Sequence, residues 1–156
     1  SDSTCITFDV IDETLRVTNI SQIKTDGYVN VERSLKIGNE MVGHVVSGHV
    51  HSLASVINID RSATNCAITF ELCSESGKSQ NKYLFEKGFI TINGVSLTLG
   101  AVYEGIFTVH LIPETLQRTN IGNLELSDKV NIEFDQQTIT IVNTIERMNV
   151  TTTSLR

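Results

Sequence analysis

The chain has one proline, three cysteines and no long apolar run, and each shortage closes off a class of protein. A membrane-crossing helix needs roughly 18 consecutive apolar residues, and no run approaches that. No charged-then-apolar N-terminal stretch resembles a secretion signal, so the default expectation is a cytoplasmic protein with no membrane partner. Basic residues are also scarce. The 12 Lys and Arg are outnumbered by 18 Asp and Glu, for a net charge of −6, and they are scattered. Binding a phosphate backbone needs clustered cations, so nucleic acid is not an expected partner. The cysteines are odd in number and lack metal-ligand spacing. Cys5 stands alone, and Cys66 and Cys73 lie seven apart in an alternating pattern, which reads as reduced structural thiols. The triplets Asn19-Ile20-Ser21 and Asn149-Val150-Thr151 match a glycosylation pattern but have no secretory context.

What the chain does have is one segment written twice. Residues 6–32, ITFDVIDETLRVTNISQIKTDGYVNVE, align without a gap to residues 107–133, FTVHLIPETLQRTNIGNLELSDKVNIE, with 11 of 27 positions identical. Chance would give about one or two, so the chain carries an internal duplication, and two copies of a module imply two related sites. The second copy has a lead-in of alternating segments from about 35 to 106, whereas the first has five residues ahead of it and no initiator Met. The expectation is a chain that begins partway through its first module, lacking roughly fifty or more residues. Residues 1–34 are then a remnant of the first module, 35–136 the complete second module, and 137–156 a helix and tail.

Short segments rich in Val, Ile, Thr, Phe and Tyr, bounded by Gly, Asn, Asp and Ser, predict strands at 4–11, 28–33, 43–58, 66–73, 88–92, 95–103, 106–112 and 129–134. Asn93-Gly94 marks a tight hairpin because both residues tolerate positive φ, and Tyr103-Glu104-Gly105-Ile106 reads as another turn. Helical signals are few: a short helix within 76–86, single turns at 13–18 and 114–119, and a tail helix over 137–148. In that helix Ile139, Val142, Ile145 and Met148 form one apolar seam, suited to self-association or to packing on the body of the protein. About six strands with little helix predict an all-β fold, closed into a small antiparallel barrel because closure removes exposed edges.

Three constellations could carry chemistry. In GHVVSGHVH at 43–51, a strand would place His49 and His51 on one face without gathering three imidazoles. Metal binding, which needs three converging ligands, is therefore not expected, and Gly48 marks a close backbone approach. In KGFITINGVSLT at 87–98, Ser96 and Thr98 direct two hydroxyls to one face, either as hydrogen-bonding groups or from strand propensity alone. In HLIPET at 110–115, Pro113 must sit at a strand edge or end, leaving main-chain groups free to pair with a flat heterocycle. An ordinary exit from strand to turn accounts for it equally.

Together ETLRVTN at 13–19, VNVER at 29–33, GHVVSGH at 43–49, KGFITINGVSLT at 87–98, HLIPETLQRTN at 110–120 and VNIEFDQQT at 130–138 resemble the α-type riboflavin synthase family. The resemblance spans nearly the whole chain. It implies two similar antiparallel six-stranded Greek-key barrels, the first incomplete here, plus a short C-terminal helix. It also implies dismutation of two 6,7-dimethyl-8-ribityllumazine molecules by four-carbon transfer, giving riboflavin and 5-amino-6-(D-ribitylamino)uracil, with no metal or other cofactor. The implied partners are that substrate and product, two further copies in a homotrimer, and association with lumazine synthase.

Carried over by position, Gly48, His49, Val50, Lys87, Ser96, Leu97, Thr98, His110, Leu111, Ile112, Pro113, Glu114 and Thr115 would form the second-barrel pocket. Asp9, Val10, Ile11, Asp12, Glu13 and Thr14 would be what remains of the first. The substrate's acidic ring methyl calls for a base of near-neutral pKa, which points to His49. Ser96 and Thr98 would orient the ring or deliver an adding hydroxyl. Asp135 would stabilise developing positive charge or hold the ribityl chain, with helix capping as its other reading. Val42 and Asn93 depart from the family pattern, where Gly and Asp are usual. A non-catalytic lumazine or flavin binder of the same fold is the alternative, and with half a barrel absent the chain as given is expected to turn over weakly or not at all.

Overall fold

The protein is described here by a computed structural model covering residues 5–62, 65–73 and 80–153. Six antiparallel strands close into a barrel: β1 Ser52–Arg61, β2 Cys66–Leu72, β3 Phe89–Ile92, β4 Val95–Tyr103, β5 Ile106–Leu111 and β6 Lys129–Phe134, in the order β1-β2-β5-β4-β3-β6 with β6 pairing back onto β1. The expected closed antiparallel barrel followed by a short helix is met. Two hairpins fix its register. Asn93 and Gly94 take φ of 47° and 83° between β3 and β4, and Glu104 and Gly105 take 45° and 86° between β4 and β5. Consecutive positive φ values match the twist of the strands they join.

Alternate residues point inward, because successive side chains of a strand face opposite sides. Ile68, Phe70, Phe107, Val109, Ile90, Ile92, Leu99, Val130, Ile132 and Phe134 fill the barrel, with Phe70 and Phe107 stacked at 5.4 Å between ring centroids. The β1–β2 register shifts between Val56 and Asn58, and the extra residue resets the alternation so that Ile59 packs on the core. A shift in β4 after Leu99 falls at Gly100, where a Cβ would lie 2.5 Å from Thr108 Oγ1.

Outside the barrel the two repeats share their helical parts. Helix α1, Asp12–Val17, and helix α2, Pro113–Arg118, are each followed by a 3-10 turn, Ile20–Gln22 and Asn120–Asn123. The matched strands do not recur: of the strands expected at 4–11 and 28–33, the described residues 5–11 and 28–33 join no ladder and are largely exposed, Phe8 at 74%. Their counterparts β5 and β6 each lie between two partner strands, β2 and β4 for one and β1 and β3 for the other. A helical turn closes its hydrogen bonds within its own segment, whereas a strand needs neighbours to close them.

The third departure is at 43–51. The long strand expected over 43–58 begins only at Ser52, because Gly43 and Gly48 turn the chain at φ of 81° and 78°. Of the helix expected over 76–86, residues 81–83 form a 3-10 turn and 76–79 lie outside the described residues. The tail helix α3 runs Gln136–Thr153. Its first turns pack on the barrel through Ile139, and Tyr83 donates to Asn143 Oδ1 at 2.7 Å, while Ile145 and Met148 remain exposed. No helix among the described residues is long and apolar enough to cross a membrane.

Candidate active site

The register places three polar side chains in one row on the outer face of the barrel. Thr91 of β3 sits opposite Glu133 of β6 on one side and opposite Ser96 of β4 on the other. Their sequence neighbours Ile90, Ile92, Ile132, Phe134 and Leu97 point into the core, so this row must point out. Thr91 and Glu133 are nonetheless buried, at 2% and 7% exposure. What covers them is the segment 43–51, lying across the row instead of extending β1.

Each polar group of the row is paired to that strap. The His44 ring spans two members, with Nδ1 2.7 Å from Ser96 Oγ and Nε2 3.2 Å from Thr91 Oγ1, and stacks on Phe89 at 5.0 Å. Gly43 is confined to glycine by its positive φ and because a Cβ would lie 2.6 Å from Ser96 Oγ. At the other end Glu133 Oε1 accepts from Ser47 N–H at 2.8 Å, Ser47 Oγ–H at 2.9 Å and Gly48 N–H at 3.2 Å. Two successive N–H groups thus converge on one carboxylate, beside the left-handed turn at Gly48. Beyond it, His49 Nδ1 lies 3.0 Å from Ser47 Oγ. His51, half-buried, accepts at Nδ1 from Phe134 N–H at 3.2 Å. Burial holds its pKa below the ordinary histidine value; the Glu133 charge opposes that shift and His49 adds to it.

The residues expected at a site fall into separate places. Gly48 and Ser96 line one cleft of about 620 Å³, together with His44, Ser47, Gly94 and residues 32–35 and 40–42. Leu111 and Pro113 line another, of about 370 Å³, with Arg61, Cys66 and Leu116. Leu97 is buried in the core, while Thr98 faces outward opposite Phe89. Lys87 turns the chain into β3 at φ 65°, donating its N–H to Leu99 O, and His110 is exposed beside Gly100. Val50 precedes β1.

Ile112 caps α2, whose first turn holds Glu114, ion-paired with Arg118, and Thr115, whose carbonyl accepts from Thr119 Oγ1 at 2.7 Å. The first repeat copies this arrangement: Ile11 caps α1, Glu13 pairs with Arg16, and Thr14 O accepts from Thr18 Oγ1 at 2.6 Å. Asp9 and Val10 lie exposed in the unpaired segment before it, and Asp12 opens the helix. Asp135 Oδ2 accepts from Thr138 N–H at 2.9 Å and from Thr138 Oγ–H at 2.8 Å, capping α3.

Sequence reasoning passed over Glu133, Ser47 and Thr91. A signal for Glu133 was present: a carboxylate inside VNIEF, a strand otherwise fit for burial, needs partners. Among the described residues no three His, Cys, Asp or Glu side chains gather as metal ligands do.

The profile described as "Lumazine binding domain" matches residues 47–135. Riboflavin synthase of Escherichia coli strain K12 is 46% identical over 143 residues, which are 92% of this chain and 66% of that protein. Riboflavin synthase of Chlamydia pneumoniae is 42% identical over 143 residues, covering 92% of this chain and 68% of that one. The chain therefore belongs to the lumazine-binding domain family, and its sequence lies close to the riboflavin synthases within it. Among solved structures, LumP complexed with 6,7-dimethyl-8-(1'-D-ribityl)lumazine superposes with a TM-score of 0.66 at 23% identity, over 79% of this chain and 64% of that one, a likeness of fold.

Proposed function

We propose that the protein acts as a riboflavin synthase, binding 6,7-dimethyl-8-ribityllumazine at the second barrel. There it takes part in four-carbon transfer between two such molecules, yielding riboflavin and 5-amino-6-(D-ribitylamino)uracil. The atoms of two substrates equal those of the two products, so the reaction needs no outside oxidant or reductant. What the protein must do is hold two heterocycles and move protons. The observation that carries the reading is the convergence of Ser96 and Gly48 on one cleft beside His44, with His49 in hydrogen-bond contact with Ser47 of its lining. His49 is assigned as the base toward the acidic ring methyl. Ser96 and Thr98 are assigned to the ring, Asp135 to charge near the ribityl chain, and the main chain around Ile112 with Thr115 to the heterocycle's edge. A cytoplasmic homotrimer, associated with lumazine synthase, is part of the same proposal.

The test is a fluorescence titration with 6,7-dimethyl-8-ribityllumazine alongside an assay of riboflavin formation. Binding should saturate, and His49→Ala should slow proton transfer by about 10²–10⁴-fold while leaving the fold intact. Ser96→Ala should weaken binding by about tenfold, on the order of one charge-neutral hydrogen bond. In a chain carrying both barrels, saturable binding without product would leave a ligand carrier, and undiminished turnover in both variants would remove their assigned roles.

A further inference from the structure

Ser47 stands between a buried charge and an exposed imidazole, and it has one hydrogen to give. Its Oγ is 2.9 Å from Glu133 Oε1 and 3.0 Å from His49 Nδ1. Glu133 Oε1 already receives the N–H groups of Ser47 and Gly48, which can only donate, so that oxygen is an acceptor. The Ser47 hydroxyl hydrogen therefore goes to Glu133. Ser47 Oγ then meets His49 as an acceptor, and the nitrogen facing an acceptor must carry the proton. The geometry points to Glu133 and Ser47 as a positioning pair that fixes neutral His49 in its Nδ1–H tautomer, leaving Nε2 as the atom that takes a substrate proton.

This inference deepens the proposed function and rests on His49 being its base. Fixing the tautomer matters because an imidazole presenting Nε2–H to a C–H bond has no lone pair for it. It also leaves nothing to rearrange: once Nε2 is protonated, Nδ1–H still faces Ser47 Oγ with the carboxylate behind. The buried setting of Glu133 and its main-chain contacts at Gly48 hold the orienting group in place.

Nitrogen-resolved imidazole NMR of the whole chain, above the titration range of histidine, reads the tautomer directly. In the unmodified protein His49 Nε2 should resonate as an unprotonated nitrogen and Nδ1 as a protonated one. Ser47→Ala should move the population to Nε2–H, the form free imidazole favours, and Ser47→Thr should restore Nδ1–H. Glu133→Gln, which keeps shape and loses charge, should shift the population partway. A protonated Nε2 in the unmodified chain, or a tautomer unchanged by Ser47→Ala, overturns the assignment; an unchanged Glu133→Gln variant removes Glu133 from it.

A second readout is deuterium exchange of the ring-methyl protons of bound 6,7-dimethyl-8-ribityllumazine. With ligand at saturation, Ser47→Ala should slow the protein-accelerated exchange by about tenfold, and Ser47→Thr should recover it. If no acceleration occurs even in the unmodified chain while the tautomers respond as stated, the tautomer assignment is upheld and the role of His49 as base falls.

Discussion

At the scale of single residues, burial decides the chemistry of His51. It packs against the Phe134 ring at 5.7 Å between centroids, its Nδ1 accepts the Phe134 N–H, and its carbonyl accepts from Gln80 Nε2 at 3.2 Å. Desolvation, the largest effect, holds its pKa down; of the two titratable groups that face it, Glu133 opposes that shift and His49 adds to it. A depressed histidine pKa means that the unfolded chain takes up a proton before the folded one as pH falls. The contribution of neutral His51 is therefore whole above the unfolded value of about 6.5 and is lost as pH drops from there toward the folded pKa. His51→Asn keeps an acceptor for Phe134 N–H and cannot titrate. Melting temperatures recorded between about pH 7 and 5 should fall less steeply in the variant, and parallel curves would rule out this source of acid sensitivity.

At the scale of elements, the carboxylate of Asp135 joins barrel to tail helix. An N-cap aspartate satisfies an amide at the helix start that would otherwise lack a partner, and its loss costs about 1 kcal/mol. Asp135→Ala should lower stability by that amount in chemical denaturation, and Asp135→Asn, an equally good cap, should leave it nearly unchanged. Equal losses in both would point to the charge instead of the cap. The elements also show what a sequence can reveal. Strands β2 to β6 were legible to within a residue at either end because each alternates against a core and is punctuated by turn residues such as Asn93-Gly94 and Glu104-Gly105. The strap was not, since residues 43–51 share the alternation of a strand and are diverted by contacts with Glu133, Thr91 and Ser96, 47 to 86 positions away. His49 and Ser96 could be read as site candidates from their motifs, but the pairing of Ser96 with His44 belongs to tertiary structure alone.

At the scale of the whole molecule, the duplication survives as reciprocal hydrogen bonds between repeats. Asn19 N–H donates to Asn131 Oδ1 and Asn120 N–H donates to Asn30 Oδ1, each at 2.8 Å, and positions 19 and 120, like 30 and 131, are equivalent in the alignment. The side chains repeat the exchange, Asn19 Nδ2 to Lys129 O and Asn120 Nδ2 to Tyr28 O. Such an exchange is what a two-fold relation between like modules produces, each giving what it receives. Asn30 carries the most: its Nδ2 also reaches Asn93 O at 2.8 Å, tying the first repeat to the β3–β4 turn. Because residues 28–33 join no ladder, side-chain bonds of this kind anchor them to the barrel.

Asn30→Ala removes three hydrogen bonds, to Asn93 O, Asn120 Oδ1 and Asn120 N–H, and leaves that N–H without its acceptor, a loss of about 1–3 kcal/mol for the docked segment. None of those atoms belongs to the barrel core, so the loss should appear locally. Limited proteolysis should cut between residues 19 and 33 well before it does in the unmodified chain, while amides of β2 and β5 keep their exchange protection. If those amides lose protection together with the segment, the repeats unfold as one unit and the asparagine clasp is part of the barrel's own stability.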